Sequence, residues 1–448
     1  SELIGWDVLT ARLTGTVLGN VSESWTYDDF GEAETYTATY DGSPIWDVQY
    51  TRDQRGRITT LVETIDSGTD TWGYDYLPAG QLDVVTRNSS TVADYGYDTN
   101  SNRTSLVTTS GTATGTYDVQ DRVETWDGVT FVFSDNGELV TRTSGADTTT
   151  YTYDGLGNLL DITLPDSTVI AYVIDGLDRR IGKKVDGVLT RGFLYKDALN
   201  VIAELDGANN LVSRFVYGSR ANVPDFMIRG GVTYRILCDH LGSPRIVVDV
   251  ATGTVAQRMD YDEFGRVLLD TNPGFQPFGF AGGLYDPDTG LVRFGVRDYD
   301  AFTGRWTARD PVLFLAGSTN LYTYVGNDPV NEIDLNGREA VPGENNFYDA
   351  PAGSSEVGAG GEEVGVSQAR PNDPNIPGNV GDGPIFYERI CDGGTCMERI
   401  WDPTTETFGE VMISTDCEGA TCESMEERHK KIQEMMEDFD PATESPPA

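Results

Sequence analysis

Basic side chains are scarce in this chain: 32 Lys and Arg face 72 Asp and Glu, a formal net charge of −40 over 448 residues. A field of that sign opposes non-specific binding to nucleic acid or to an anionic membrane surface, and it favours solubility. No run of 18 apolar residues occurs, which excludes a membrane-spanning helix by length. No basic-plus-apolar leader follows Ser1, so a signal peptide is expected either to have been removed or to lie upstream. Cysteine is limited to five residues and histidine to two, leaving few soft metal ligands. No long helical period runs through the chain before its C-terminus.

Short polar turns at regular spacing are abundant. Tyr-Asp followed by Gly-Asn or Gly-Arg recurs, most clearly at Tyr153-Asp154-Gly155-Leu156-Gly157-Asn158 and Tyr261-Asp262-Glu263-Phe264-Gly265-Arg266. Weaker copies fall at Asp28, Asp53, Asp75, Asp98, Asp118, Asp135 and Asp175. A near-regular period of this kind marks a repeat architecture, in which each unit buries its apolar face only against its neighbours. The intervening segments, such as Arg57–Thr64 and Ser167–Val173, alternate and are rich in Thr, Val, Ile and Tyr, as pleated half-buried strands require. Asp supplies turns by accepting backbone N–H bonds, and Gly by tolerating positive φ. The fold class is all-β: an antiparallel ribbon of hairpins. The bland reading of its 22 Tyr and 7 Trp is core and cross-strand packing, with carbohydrate contact by exposed aromatics as the alternative.

These repeats resemble those of the RHS/YD-repeat proteins. The likeness sharpens in an ordered block: Asp239-His240-Leu241-Gly242-Ser243-Pro244-Arg245, Tyr285-Asp286, Thr289-Gly290-Leu291, Arg297-Asp298-Tyr299-Asp300, Thr303-Gly304-Arg305-Trp306, Asp310-Pro311, and Asn320-Leu321-Tyr322 through Asn327-Asp328-Pro329-Val330-Asn331. It covers about residues 25 to 337. The resemblance implies a ribbon wound into a hollow shell or open barrel, closed by an RHS-associated core. The expected organisation is a repeat shell over 1–230, the core over 231–337, an acidic linker over 338–384, and a variable region over 385–448.

The resemblance further implies that the segment after the core is a variable effector, held or presented by a secreted or cell-surface shell. A shell-plugging or delivery partner, or self-association, would accompany it. The alternative is a structural or adhesive extracellular scaffold without catalytic activity. In relatives that cleave themselves, acids near the end of the core act as an aspartic peptidase. Here the candidates are Asp298 and Asp310 with Arg297, since two carboxylates sharing a proton can activate water and protonate a leaving group. Cleavage is expected at Gly337 and Arg338, with the bond after Arg338 favoured. Leu335 stands where the family has Pro, and Arg338 where it has an apolar residue; both weigh against cleavage. The alternative has these acids capping turns and pairing with Arg305 or Arg309.

Composition breaks at Arg338. Residues 338–448 carry 24 acids against 7 bases, and 338–383 are rich in Gly, Pro, Glu and Asn, as in flexible linkers. The tail holds Cys391, Cys396, Cys417 and Cys422, in two pairs with four residues between members. Each pair suits a disulfide across a tight hairpin; the alternatives are a four-thiolate zinc site or reduced thiols. No other cofactor is expected. Cys238, in the strand-like run Tyr234–Cys238, reads as a buried free thiol. Ser424 with Glu427 forms a capping-box pattern ahead of Met425, Ile432, Met435, Met436 and Phe439, which predicts one amphipathic helix bearing His429.

Overall fold

A computed structural model describes residues 3–343, apart from 8, 9, 11 and 317, and the backbone of four strands between Phe386 and Ser414. The chain divides into two compact units, Ser1–Ala350 and Pro351–Ala448.

The first unit is built on one antiparallel meander of 26 strands, from β1 (Leu3–Trp6) to β26 (Val267–Asp270). Each strand pairs with the next in sequence, so the chain forms one ribbon. One edge of the ribbon carries two-residue turns at Asp41-Gly42, Asp66-Ser67, Asn88-Ser89, Asp127-Gly128 and Asp186-Gly187. Both residues of each have positive φ, the conformation that follows strand twist most closely.

The other edge carries the Asp loops. At Asp28, Asp53, Asp98, Asp118, Asp154, Asp175, Asp239 and Asp262, and at Asp206 on the first edge, the same wiring repeats. The Asp N–H bonds the carbonyl four residues on, and its own carbonyl accepts the N–H three residues on. Its Oδ1 accepts two further backbone N–H groups, for example those of Leu156 and Asn158 at Asp154. Two expected copies are displaced. The loop near Asp75 is Leu77–Gln81, and the one near Asp135 begins at Ser134, whose hydroxyl takes the place of the carboxylate.

Tyrosines that stand just before loops have a distinct task, four of them (Tyr27, Tyr97, Tyr117 and Tyr261) directly ahead of an Asp. Tyr27, Tyr76, Tyr97, Tyr117, Tyr195, Tyr217 and Tyr261 each donate a hydrogen bond to the first-residue carbonyl of an earlier strand, 2.6–3.2 Å away. Tyr97, in β9 (Ser90–Tyr97), bonds Leu82 at the start of β8 (Leu82–Arg87). In these four copies the repeated pair joins a turn-forming Asp to a hairpin-locking Tyr, whereas Tyr153, ahead of Asp154, makes no such bond.

The ribbon winds back on itself. The turn at Asn20, between β2 (Leu13–Leu18) and β3 (Val21–Tyr27), bonds Val250 beyond β24 (Pro244–Asp249). Inside the wall, Arg235 of β23 (Val232–Cys238) bonds Thr16 and pairs with Glu23. Three apolar clusters line successive stretches of the inner face. A fourth belongs to the terminal core, where Phe280, Phe294, Tyr299, Trp306 and Tyr324 stack around one another.

That core contains a four-stranded sheet: β27 (Leu284–Asp286), β28 (Leu291–Phe294), β29 (Arg297–Asp300) and β30 (Arg305–Trp306). A short pair follows, β31 (Glu332–Ile333) with β32 (Val341–Pro342), so the chain up to Gly343 remains part of the core. Cys238 is buried and free, and burial raises its thiol pKa.

In the second unit, β33 (Phe386–Asp392) and β34 (Thr395–Asp402) form a hairpin whose register sets Cys391 opposite Cys396. β35 (Thr407–Phe408) and β36 (Met412–Ser414) both pair with β34. Cys417, Cys422, His429 and the expected helix lie outside the described residues, as does the linker stretch after Gly343.

Candidate functional site

The strand β29 divides the candidate acids by alternation, because successive side chains leave a strand on opposite faces. Asp298 faces the ribbon. Its Oδ1 accepts from Arg180, in β18 (Arg180–Val185), at 2.7 Å, and its Oδ2 from Arg293 of β28 at 2.9 Å. All three side chains are nearly inaccessible to solvent. Arg293 also bonds Asn158 in the Asp154 loop, and Arg180 lies over the Tyr172 ring at 3.5 Å. Asp298 is thus the knot between terminal core and wall.

Arg297 faces the other way. Its Nη2 lies 2.9 Å from Asp310 and 3.1 Å from Asp334, and its Nε donates to the Gly337 carbonyl at 2.5 Å. Asp334 Oδ1 accepts the Arg338 N–H at 3.0 Å, and Asp310 Oδ1 accepts that of Val312. Among the described residues no hydrogen bond joins Asp298 to Asp310. Asp310 instead shares a guanidinium nitrogen with Asp334, at the Gly337–Arg338 peptide. The pairing partners anticipated for these acids also differ: Arg305 bonds the Asp121 carbonyl and Asn320, while Arg309 bonds Asn136.

Burial raises the Asp334 pKa, opposed by Arg297 and by the backbone N–H groups of Arg338, Glu339 and Gly337. Burial also lowers that of Arg297, which Asp310 and Asp334 oppose. Gly337 is required here twice over. Its φ is +71°, and a Cβ would meet the Phe294 carbonyl oxygen at 2.6 Å. That close approach seats the Gly337 carbonyl on Arg297.

Asp334 is the residue sequence reasoning left out of the acid set. It stands one residue before Leu335, in the stretch Asp334-Leu335-Asn336-Gly337-Arg338 that carries the expected cleavage site. Among the described residues no cluster of His, Cys, Asp and Glu is arranged to hold a metal ion, and no helix is long and apolar enough to cross a membrane.

A self-wound antiparallel ribbon of tyrosine-locked hairpins, tied to a sheet-bearing terminal core, defines a β-shell of the YD-repeat class. The chain belongs to the teneurin YD-shell family, whose model matches residues 4–330. Teneurin-4 of Homo sapiens is 31% identical over 300 residues, covering 63% of this chain and 10% of that protein. The tRNA nuclease WapA of Bacillus subtilis (strain 168) is 27% identical over 274 residues, covering 58% of this chain and 12% of the relative. The chain thus spans about a tenth of the length of these curated relatives. Among solved structures, "Crystal Structure of TcdB2-TccC3-TEV" aligns with 75% of this chain and 21% of its own, at 15% identity and a TM-score of 0.42.

Proposed function

We propose that this chain is a shell module that works outside the cell, as a secreted or surface-displayed product, and holds or presents the region that follows its core. The observation that carries this reading is the path of residues 284–338. They cross the wound ribbon and fix themselves to its early, middle and late strands. Asn331 bonds Tyr76 and the Ile58 N–H. Asn320 bonds Asn102, Asp298 pairs with Arg180, and Asp286 pairs with Lys183. A core bonded to so many turns of the wall anchors whatever follows it. Relatives whose names do and do not carry a nuclease share this shell, which fits a common wall with a variable appended region.

The same reading makes Arg297, Asp310 and Asp334 the machinery of self-release, and it moves the cut from the bond after Arg338, favoured on sequence, to the Gly337–Arg338 bond, whose carbonyl Arg297 holds. Asp310 would accept a proton from water as its oxygen adds to the Gly337 carbonyl carbon, which Arg297 polarises. Asp334, whose pKa is raised by burial, would protonate the departing Arg338 nitrogen. The products are a Gly337 carboxylate and a new amine at Arg338. Asp298 has no part in this step and serves as the anchor of β29.

The test is the denatured intact mass of wild type beside Asp310→Asn, Asp334→Asn and Asp298→Asn. Two fragments divided at Gly337–Arg338 in wild type, with one chain in the first two variants, support self-release. A single chain in every sample assigns both acids to ion pairing alone and leaves the shell as an uncleaved scaffold.

A further inference from the structure

A cavity of about 320 Å³ lies between two remote stretches of the ribbon, the strands from β5 (Ser43–Arg52) to β8 and those from β24 to β26. Trp46, Tyr50, Trp72 and Tyr74 form much of one wall. Leu268 and Leu269 of β26, 62% and 40% exposed, open it to solvent. We propose that this cavity binds a small organic cation through an alkylammonium group.

Charge is the first argument. Six carboxylates line the cavity against three guanidiniums, and each guanidinium is already engaged. Arg245 holds Glu63 and Asp260, Arg258 also holds Asp260, and Arg87 holds Asp70. Asp239, Asp262 and Glu263 are left without an ion pair among the described residues.

The repeat itself points the same way. In six of the nine Asp loops the residue four positions on returns to bond the carboxylate's Oδ2, as Arg57, Asn102, Arg122, Asn158, Arg179 and Asn210 do. At Asp239 and Asp262 that position is Ser243 or Arg266, and no such bond forms. Two of the three loops that depart from the pattern therefore line one cavity.

Third, the Tyr50 side chain is only 7% exposed, yet its hydroxyl has no hydrogen-bond partner among the described residues, and it lines the same space. Burial, and then Glu263, push the Asp262 carboxyl up to about 7, with Arg103 and Arg266 opposing; burial likewise raises Glu263. These are carboxylates short of a counter-cation. Aromatic faces beside unneutralised carboxylates suit an ammonium group, which both attract, above a neutral ligand of equal shape.

The probe is choline, titrated calorimetrically into the full chain beside its uncharged carbon isostere dimethylbutanol and beside glucose. Saturable choline binding, weakened about tenfold in Glu263→Gln and in Asp262→Asn, is expected. Asp154→Asn, in an equivalent loop remote from the cavity, should bind as wild type does. Melting curves establish that each variant is folded. The proposal is overturned if choline does not bind, if the isostere or glucose binds as well as choline, or if both cavity variants keep wild-type affinity.

Discussion

Among the described residues, turn carboxylates are held by backbone N–H groups and several core carboxylates by guanidinium groups, and the two settings respond differently to substitution. Asp298 belongs to the second kind. Asp298→Asn keeps the shape but leaves Arg180 and Arg293 buried without a counter-charge, a change of the sort that costs about 3–5 kcal/mol. Chemical denaturation should show that loss. Asp154→Ala, which removes only a turn acceptor, should cost about 1 kcal/mol. Equal losses at the two positions would refute the anchoring role of Asp298. The sequence showed Arg297, Asp298 and Asp310 as a chemically interesting set but could not show who their partners were. Arg180 is 118 residues from Asp298, and Asn158 is 135 from Arg293. Nor does spacing along a chain say which face of a strand a side chain takes until strand and register are fixed.

The hairpin was the most legible element, because its turn chemistry is local. Tyr153-Asp154 and Tyr261-Asp262 mark real loops, whereas the copies at Asp75 and Asp135 mislead. At those places Leu77 and Ser134 occupy the Asp position, and a backbone geometry that tolerates such replacements does not require the motif. The tyrosine's bond to a carbonyl 14 to 18 residues earlier had no local signature, since it depends on how neighbouring hairpins pack. Some glycines carry a second constraint of the same non-local kind. Gly42 and Gly265 both have positive φ, +76° and +83°, but only at Gly265 would a Cβ strike a neighbour, the Phe280 ring at 2.2 Å. Gly42→Ala should cost about 1–2 kcal/mol of backbone strain, and Gly265→Ala that amount plus about 1–3 kcal/mol of overpacking. Thermal melts of the two single variants separate these contributions, and indistinguishable melts would contradict the packing at Phe280. In the second unit, the register that sets Cys391 opposite Cys396 gives a separation that suits a disulfide. Under oxidising conditions, peptide mapping should recover those two cysteines as one linked species that reductant separates.

At the scale of the whole molecule, an acidic wall is wound around acids buried within it, and the two populations act in opposite senses with pH. Asp53, Asp118, Asp154 and Asp175 are pushed upward by burial, but their hydrogen bonds to Arg or Asn side chains and to turn N–H groups outweigh this and lower their pKa values. The stability they confer is present above the ordinary carboxylate range and is lost as pH falls through their folded values. Asp262, pushed by burial to about 7, and Asp328, pushed by burial to about 6, behave in reverse. Below the ordinary range they are protonated whether the chain is folded or not. As pH rises from about 4 to about 7 the unfolded chain ionises first, so their contribution to stability falls across that window. Repulsion within a chain of net charge −40 acts in the same direction and must be separated from it. Added salt screens surface charges over about 10 Å or less but reaches buried groups poorly. The melting temperature should therefore be higher at pH 5 than at pH 8, and a difference should persist in high salt. Asp262→Asn, which cannot ionise, should narrow that residual difference while leaving the salt-sensitive part unchanged. If salt abolishes the difference in wild type, or if Asp262→Asn leaves the residual as large as before, the buried acids do not govern the pH response and surface repulsion does.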